Sequence, residues 1–424
     1  MTRQFFLASL FCLVSTLAVA TAPRSTNVLY VDGVHGNDQN NCKSQQKSCK
    51  TIGRAISLAT PWSTILVAPA TYSENLEITI DLNIVGAGAK RTIIDGQALN
   101  NVVYISDENA HVFLSGFTIR NGSTYANGCG GGGGGIANFG SVTVVDSVLA
   151  GNIANGIFAD ALGGGICSTG TALLERIIVT GNELEASYSS CGGGIANLGG
   201  VMAIEDSTIS NNSSLTTDTY GAGICNGGTL EVSQTTINGN ETGDGAYTEG
   251  GGIDNDGIAT IINSTITGNA SQGGVGGGIA NYGGAMKVIN TTVSGNTAWR
   301  VAGGIATDGN ITIENSIVSD NATNCSGGIV SKGYNLSSDT SCPFTAPGDL
   351  NNTEPLLGPL RNNGGPTPTM AELPGSPTLD AGNPNGCTDN QGNLLKTDQR
   401  GAPRPGKHKN LHRCDMGAFE RQSD

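Results

Sequence analysis

The middle of the chain repeats one pattern of apolar and polar positions. A Gly-rich tripeptide followed by Ile recurs with Ile at 136, 166, 195, 224, 253, 279, 305 and 329, in steps of 30, 29, 29, 29, 26, 26 and 24. A second anchor, apolar-x-x-Asn, ends at Asn152, Asn182, Asn212, Asn240, Asn269, Asn296 and Asn321, with Asn121 as a forerunner. Six residues before these stand polar residues: Asp146, Arg176, Asp206, Gln234, Asn263, Asn290 and Asn315. Between the anchors lie β-branched stretches such as 142–145, 260–262 and 311–313, too short for helices and rich in strand formers. Each unit therefore reads as three short strands joined by turns. One such coil cannot bury its own apolar side, whereas stacked coils make three parallel sheets around a continuous core. The pattern predicts an all-β chain folded as a right-handed parallel β-helix, a three-sheet solenoid. The eight Ile positions stack inward on one sheet, and the Asn anchors bond amide to amide in a ladder at another corner.

The same strand pattern begins earlier, at 64–67, 76–78, 82–85, 92–94 and 112–114. Ahead of it Ile52, Ala55, Ile56 and Ala59 fall at helical spacing, which predicts a short amphipathic helix closing the first coil. At the other end the repeat stops, and 11 of the 14 prolines lie between Pro343 and Pro405. Arg3 precedes an apolar run from Phe5 to Ala20, and Ala18-Val19-Ala20 supplies the small residues that a signal peptidase reads. A cut after Ala20 leaves 424 − 20 = 404 residues. The expected organisation is a signal peptide at 1–20, an N-terminal cap at 21–63, the β-helix at 64–342 and a Pro-rich C-terminal cap or anchor-type segment at 343–424. No later stretch approaches the roughly 18 apolar residues of a membrane helix.

Export allows the ten cysteines other than Cys12 to pair. The predicted local pairs are Cys42 with Cys49, Cys325 with Cys342, and Cys387 with Cys414. Cys167 and Cys225 follow the Ile of repeats two coils apart, about 9.6 Å at sheet spacing and beyond the roughly 7 Å Cα limit of a bridge, so they read as free buried thiols. Cys129 and Cys191 sit in loops and can reach each other. No Cys-x-x-Cys pair occurs and the four His lie outside the repeats, which argues against zinc.

Composition narrows the class further. Gly makes up 65 of 424 residues, charged residues 13% and aromatics 5%, which excludes a helical bundle; the glycines are clustered, which excludes collagen, and 37% hydrophobic content is too high for a disordered chain. Between residues 121 and 330, 17 Asp and Glu face three basic residues, Arg176, Lys287 and Arg300, a balance of 3 − 17 = −14, while the remainder is neutral. So acidic a body is unsuited to a phosphate backbone or an anionic membrane surface.

With Gly192 to Ile195 reading Gly-Gly-Gly-Ile and Ile209 to Asn212 reading Ile-x-x-Asn, the middle resembles the repeats of polymorphic outer-membrane proteins. That resemblance implies an adhesin, although the chain to Asp424 lacks the long alternating segments of the membrane barrel that anchors such proteins. The start, Tyr30-Val31-Asp32 with Gly36-Asn37-Asp38 and Lys50-Thr51-Ile52, is similar to the opening of secreted pectin-lyase-like β-helix proteins. The end resembles the choice-of-anchor Q domain. The matching motifs are Gly358-Pro359-Leu360 with Asn363-Gly364-Gly365, Gly375-Ser376-Pro377 with Asp380-Ala381-Gly382, Asp398-Gln399-Arg400-Gly401, and Cys414-Asp415-Met416-Gly417-Ala418-Phe419-Glu420. Together these resemblances imply a secreted or cell-surface, outer-membrane-associated protein, and they imply no reaction.

Two sets of residues carry candidate chemistry. The loops leading into the Gly-rich anchors hold Tyr125, Phe158, Tyr188, Tyr220, Tyr247 and Trp299, which stacking brings to one edge at about 4.8 Å per coil. An aromatic, acidic edge suits stacking on sugar rings or burial in a protein interface. Asp254 and Asp256 flank Asn255, and period-2 alternation places both carboxylates on one outward face near Glu249. They can bind Ca²⁺ or act as paired carboxylates, with Arg300 as the nearest basic candidate, and a solvated acidic patch is the simpler reading of the same residues. Asp32, His35 and Asp38 read as turn formers, and Asp398, Arg400, Arg404, Asp415 and Glu420 as ion pairs pinning the terminal segment. The leading expectation is a monomeric, non-catalytic binder of a polysaccharide or a surface protein, with no cofactor; the second is a polysaccharide lyase or hydrolase.

Overall fold

The computed structural model describes residues 27–124, 129, 132–156, 160–186, 189–245, 247–406 and 413–422. Strands stack in register, each paired in parallel with its counterpart one coil on, in the right-handed parallel β-helix that the repeat predicts. Sheet A has 12 strands from Val28–Val31 to Ile329–Ser331, sheet B 11 from Ala70–Ser73 to Leu336–Ser337, and sheet C 10 from Leu76–Ile78 to Cys325–Ser326. Two shorter sheets go beyond the expected three. Sheet D has 7 strands from Ser123–Thr124 to Thr297–Ala298, and sheet E has 4: Ala161–Leu162, Ser189–Cys191, Asp218–Tyr220 and Tyr247–Glu249.

Seven of the eight Ile anchors, from Ile136 to Ile305, occupy one inward row of sheet C and are fully buried. Ile329 departs from the row and pairs with Ile311 on sheet A, because the closing coil lacks the loop and Cys325 already stands beside Ile305. The Asn ladder forms as expected: from Asn182 to Asn321 each amide oxygen accepts the backbone N–H and the side-chain N–H of the Asn one coil earlier, as Asn182 does from Asn152 at 3.0 and 2.9 Å. The polar row from Asp146 to Asn315 takes the left-handed turn position, with φ from +47° to +52°. The Gly-rich anchors are forced by proximity between coils, since a Cβ on Gly164 would lie 2.4 Å from the Gly193 carbonyl oxygen.

At the N-terminal end the helix Ile52–Leu58 forms, capped by Thr51, with Ile52 and Ala55 buried in the core. The stack starts earlier than expected, because Val28–Val31 already pairs with Ser63–Val67. Asp32 forms a turn, accepting the Val34 and His35 backbone N–H groups, whereas Asp38 is not a turn former and reaches along the chain to accept the N–H groups of Lys50 and Thr51 just ahead of the helix. At the other end Phe344 closes the core, and the chain then folds back along the flank where sheets A and B meet. There it bonds the left-handed row: Gln234 through Thr367, Asn263 through Thr397, Asn290 through Thr388 and Asn315 through Asn383. The row is charged at Asp146, Arg176 and Asp206, where the described residues of this segment make no such bond, and turns to amides where it is covered. A buried amide that is hydrogen-bonded costs far less than a buried charge.

Five disulfides are present among the described residues. The three local pairs match expectation, but Cys167 and Cys225 are not free thiols and Cys129 does not join Cys191. Cys129 bonds Cys167 and Cys191 bonds Cys225, each with Cα atoms 5.4 Å apart. The two-coil distance does separate Cys167 from Cys225; each is met by a loop cysteine that folds over the outer face of sheet C. No helix among the described residues is long and apolar enough to cross a membrane.

Candidate functional site

Sheet E roofs the outer face of sheet C. In each coil the residue after the anchoring Ile points outward, giving the row Ala196, Cys225, Asp254 and Ala280. The roof strands carry the parallel row Leu162, Cys191, Tyr220 and Glu249. The Cys191–Cys225 bond fixes which positions meet, and one coil further the same register sets Tyr220 over Asp254. The face changes character along the stack. Near the first coils it is apolar, with Phe139, Leu162 and Leu198 packed on Ala196 and the Cys129–Cys167 bridge. Further on it is acidic, with Glu249, Asp254, Asp256 and Asp308 beside Tyr220 and Tyr282.

Asp254 and Asp256 do not share an open face. The strand ends at Asn255, so Asp256 stands exposed in the following turn while Asp254 lies under the roof, 1% exposed, with Oδ1 unpartnered among the described residues. Burial pushes the Asp254 carboxyl well above the usual range, and Asp256 and Glu249 push it further. Glu249 is raised by burial, then by Asp256 and Asp308; Asp256 is raised by burial, then by Asp308. Arg300 does not join them and lines a separate cleft. Among the described residues no three His, Cys, Asp or Glu side chains converge closely enough to hold a metal ion, so Glu249, Asp254 and Asp256 are not a preformed Ca²⁺ set. Asp308 and Tyr282 escaped the sequence reading, although a signal was there: Asp256, Tyr282 and Asp308 each stand three residues after a repeat Ile.

A buried carboxyl with a raised folded value disfavours the native state once the unfolded chain ionises. Its contribution is at its most favourable below the ordinary Asp value and is lost as pH rises toward the folded value. Asp254→Asn should therefore raise the thermal midpoint at pH 7.5 and leave it unchanged near pH 3.5. Equal effects at both pH values would show that Asp254 ionises freely.

Of the six loop aromatics, Tyr125, Phe158 and Tyr188 lie outside the described residues. The other three do not make one row. Tyr220 is in register with Cys191 and Glu249 and is half-buried, whereas Tyr247 pairs with Asp218. The isolated bridges from Glu249 to Val275 and from Val275 to Val301 carry the stacking on, but Gly273 stands against Gly245 and the Trp299 N–H donates to the Ser271 carbonyl, so Tyr247 and Trp299 lie on the same edge two coils apart without sharing a register position. Tyr247 is 66% exposed and Trp299 80%. Around the Gly273 step lies an open cleft of about 510 Å³ lined by Asp244, Gly245, Gln272, Gly273, Trp299 and Arg300. It thus offers one aromatic face, that of Trp299, with a carboxylate, an amide and a guanidinium beside it.

Residues 34–89 match a family model described as a protein of unknown function (DUF1565). No curated protein matches the chain. Among solved structures the chain is similar to the crystal structure of pectate lyase Pel9A, at 14% identity and a TM-score of 0.42, over 94% of this chain and 97% of that one.

Proposed function

We propose that the protein is a secreted or cell-surface β-helix that binds glycan, without catalysis, along the edge marked by Tyr247 and Trp299. The observation that carries this reading is Trp299, a large aromatic side chain left exposed over a cleft with hydrogen-bonding groups, with the exposed Tyr247 on the same edge two coils before it. Rings left in water cost the free protein favourable burial, and stacking on the apolar face of a sugar recovers it. Five disulfides support an oxidising destination. Trp299→Ala and Tyr247→Ala should each weaken glycan binding, measured by calorimetry, by about 1–3 kcal/mol. The unfolding midpoint should barely move, because exposed side chains rarely contribute more than about 0.5 kcal/mol to stability. A lowered midpoint with binding intact would make the rings structural.

A second reading is favoured by Asp254. A carboxyl raised well above its usual range beside another carboxylate is the pairing that acid–base hydrolysis of a glycosidic bond uses. Polysaccharide cleavage that disappears in Asp254→Asn with the fold preserved would replace the binding reading with this one.

A further inference from the structure

Resting on the glycan-binding reading for the nature of the ligand, we infer that the acidic end of the sheet C face binds the free ammonium group of an amino sugar, with Asp256 and Asp308 as its outer acceptors. Three observations lead there. The first is convergence. Asp256 and Asp308 stand three residues after Ile253 and Ile305, on the coils either side of Gly283. Asp308 Oδ1 accepts the Gly283 N–H at 3.2 Å, and a Cβ on Gly283 would lie 3.9 Å from Asp256 Oδ1. Both carboxylates thus reach toward a residue with no side chain, and both are exposed. Among the described residues Glu249, Asp254, Asp256 and Asp308 enter no ion pair. Like charges gathered without a counter-charge repel one another, and a bound cation relieves them.

The second observation is Asp254. It points outward from sheet C toward Tyr220 and Glu249 of the roof and is 1% exposed, and its Oδ1 finds no hydrogen-bond partner among the described residues. Sheet E ends at Tyr247–Glu249, one coil beyond Tyr220, so Asp254 lies near the open end of the roof. A positive charge seated there supplies what the ionised form of this carboxyl lacks. The third observation decides between a metal ion and an organic cation. Among the described residues no three acidic side chains converge as a metal requires, with several oxygens at once within about 2.6 Å. An ammonium group needs only two or three acceptors, at about 2.7–2.9 Å, which wider spacing allows. Tyr220 and Tyr282 stand half-buried among the same carboxylates, with Glu249 and Asp254 acting on both phenols. Such rings attract a cation at the face and cover the apolar side of a sugar. Because Asp256 and Asp308 lie at the surface, an ammonium carried directly on a sugar ring reaches them, whereas the long arm of a lysine suits a deeper hole.

The test is calorimetric titration of the full chain at pH 6, where the amine is protonated, with glucosamine oligomers of two to six sugars. N-acetylated oligomers, cello-oligosaccharides and oligolysines of equal length are the comparators. The glucosamine series should bind at least about tenfold more tightly than any of them. Its affinity should fall as salt rises from about 0.05 to 0.5 M. Asp256→Asn and Asp308→Asn should each weaken it about three- to fivefold, and the double variant at least about tenfold. Asparagine keeps an acceptor oxygen for each turn, so the unfolding midpoint should hold. Equal affinity for the N-acetylated or cello series, or wild-type affinity in the double variant, overturns the inference. Oligolysine binding as tightly, with the same loss in the double variant, overturns the assignment to a sugar. If Trp299→Ala abolishes oligosaccharide binding while the double variant changes nothing, the glycan reading stands and this inference falls. If neither alters the binding of any oligosaccharide, both fall.

Discussion

Arg404→Ala should lower stability by about 3–5 kcal/mol at pH 8, the cost of orphaning one member of a buried ion pair. Arg404 and Glu420 are 0% and 1% exposed at the side chain, with Nε and Oε2 3.0 Å apart. The same guanidinium donates to Asn263 Oδ1 on the solenoid and to the Gly417 and Phe419 carbonyls. Arg404 thus ties the terminal segment both to itself and to the flank. Burial raises the Glu420 carboxyl to about 7 despite the pull of Arg404, with Asp415 adding to the rise. A folded value above the unfolded one means that this group's contribution is at its most favourable below about 4.5 and is lost as pH rises through about 7. At pH 5 Glu420 is largely protonated, so removing Arg404 orphans little charge and the loss should shrink. Urea denaturation at the two pH values reads the difference. Limited proteolysis should then trim the variant between residues 351 and 422 and leave the solenoid whole. An unchanged midpoint at pH 8, with no new cleavage, would mean that the segment is held by its other contacts.

The parts of the fold that repeat were legible because a solenoid turns local spacing into register. Ile-to-Ile steps and the apolar-x-x-Asn anchors named the inward row of sheet C and the ladder directly. A second ladder, Asn197 to Asn226 to Asn255 to Asn281, was equally written in the sequence as Ile-x-Asn, and the Gly-rich anchor beside it drew the reading away. Sheet E was hidden for another reason. Its strands, such as Ser189–Cys191 and Asp218–Tyr220, are short and polar, and they pair because successive loops of equal length stack. The Ile step falls from 29 to 26 after Ile253, and the sheet then gives way to the isolated bridges at Val275 and Val301. That roof decides the candidate chemistry. It buries Asp254, which strand alternation alone had placed in the open beside Asp256, and it gives Cys191 its partner. The covered flank had a sequence mark too, in the change of the left-handed row from charges to amides at Gln234. Its meaning depends on a segment 130 or so residues away, and no local pattern encodes such a contact.

Asn212→Ala should cost about 3 kcal/mol or more, while Asn211→Gly, one residue earlier, should change stability by less than about 0.5 kcal/mol. Asn212 is fully buried in the middle of the ladder. Its Oδ1 accepts the backbone and side-chain N–H groups of Asn182 at 3.1 and 2.9 Å. Its Nδ2 donates to the Val179 carbonyl at 3.0 Å and to Asn240 Oδ1 at 2.9 Å. Alanine leaves the Asn182 backbone N–H and the Val179 carbonyl without these partners in a fully buried site. Each such orphan costs about 1–3 kcal/mol. Asn211 is exposed and sits at φ +53°, where the neighbouring coils carry Gly151, Gly181, Gly239 and Gly268 at +61° to +64°. Glycine adopts that backbone without strain, and its greater freedom in the unfolded chain offsets part of the gain. Because a solenoid is held by nearest-neighbour interfaces, the Asn212 loss should appear as a lower urea midpoint and as faster amide exchange at Ile209 and Asn182, the two coils that the missing amide joined. Two adjacent asparagines would then differ at least about fivefold in effect by row alone. Equal, small effects at both would place the coil-to-coil cohesion in the apolar core and leave the ladder a consequence of the fold.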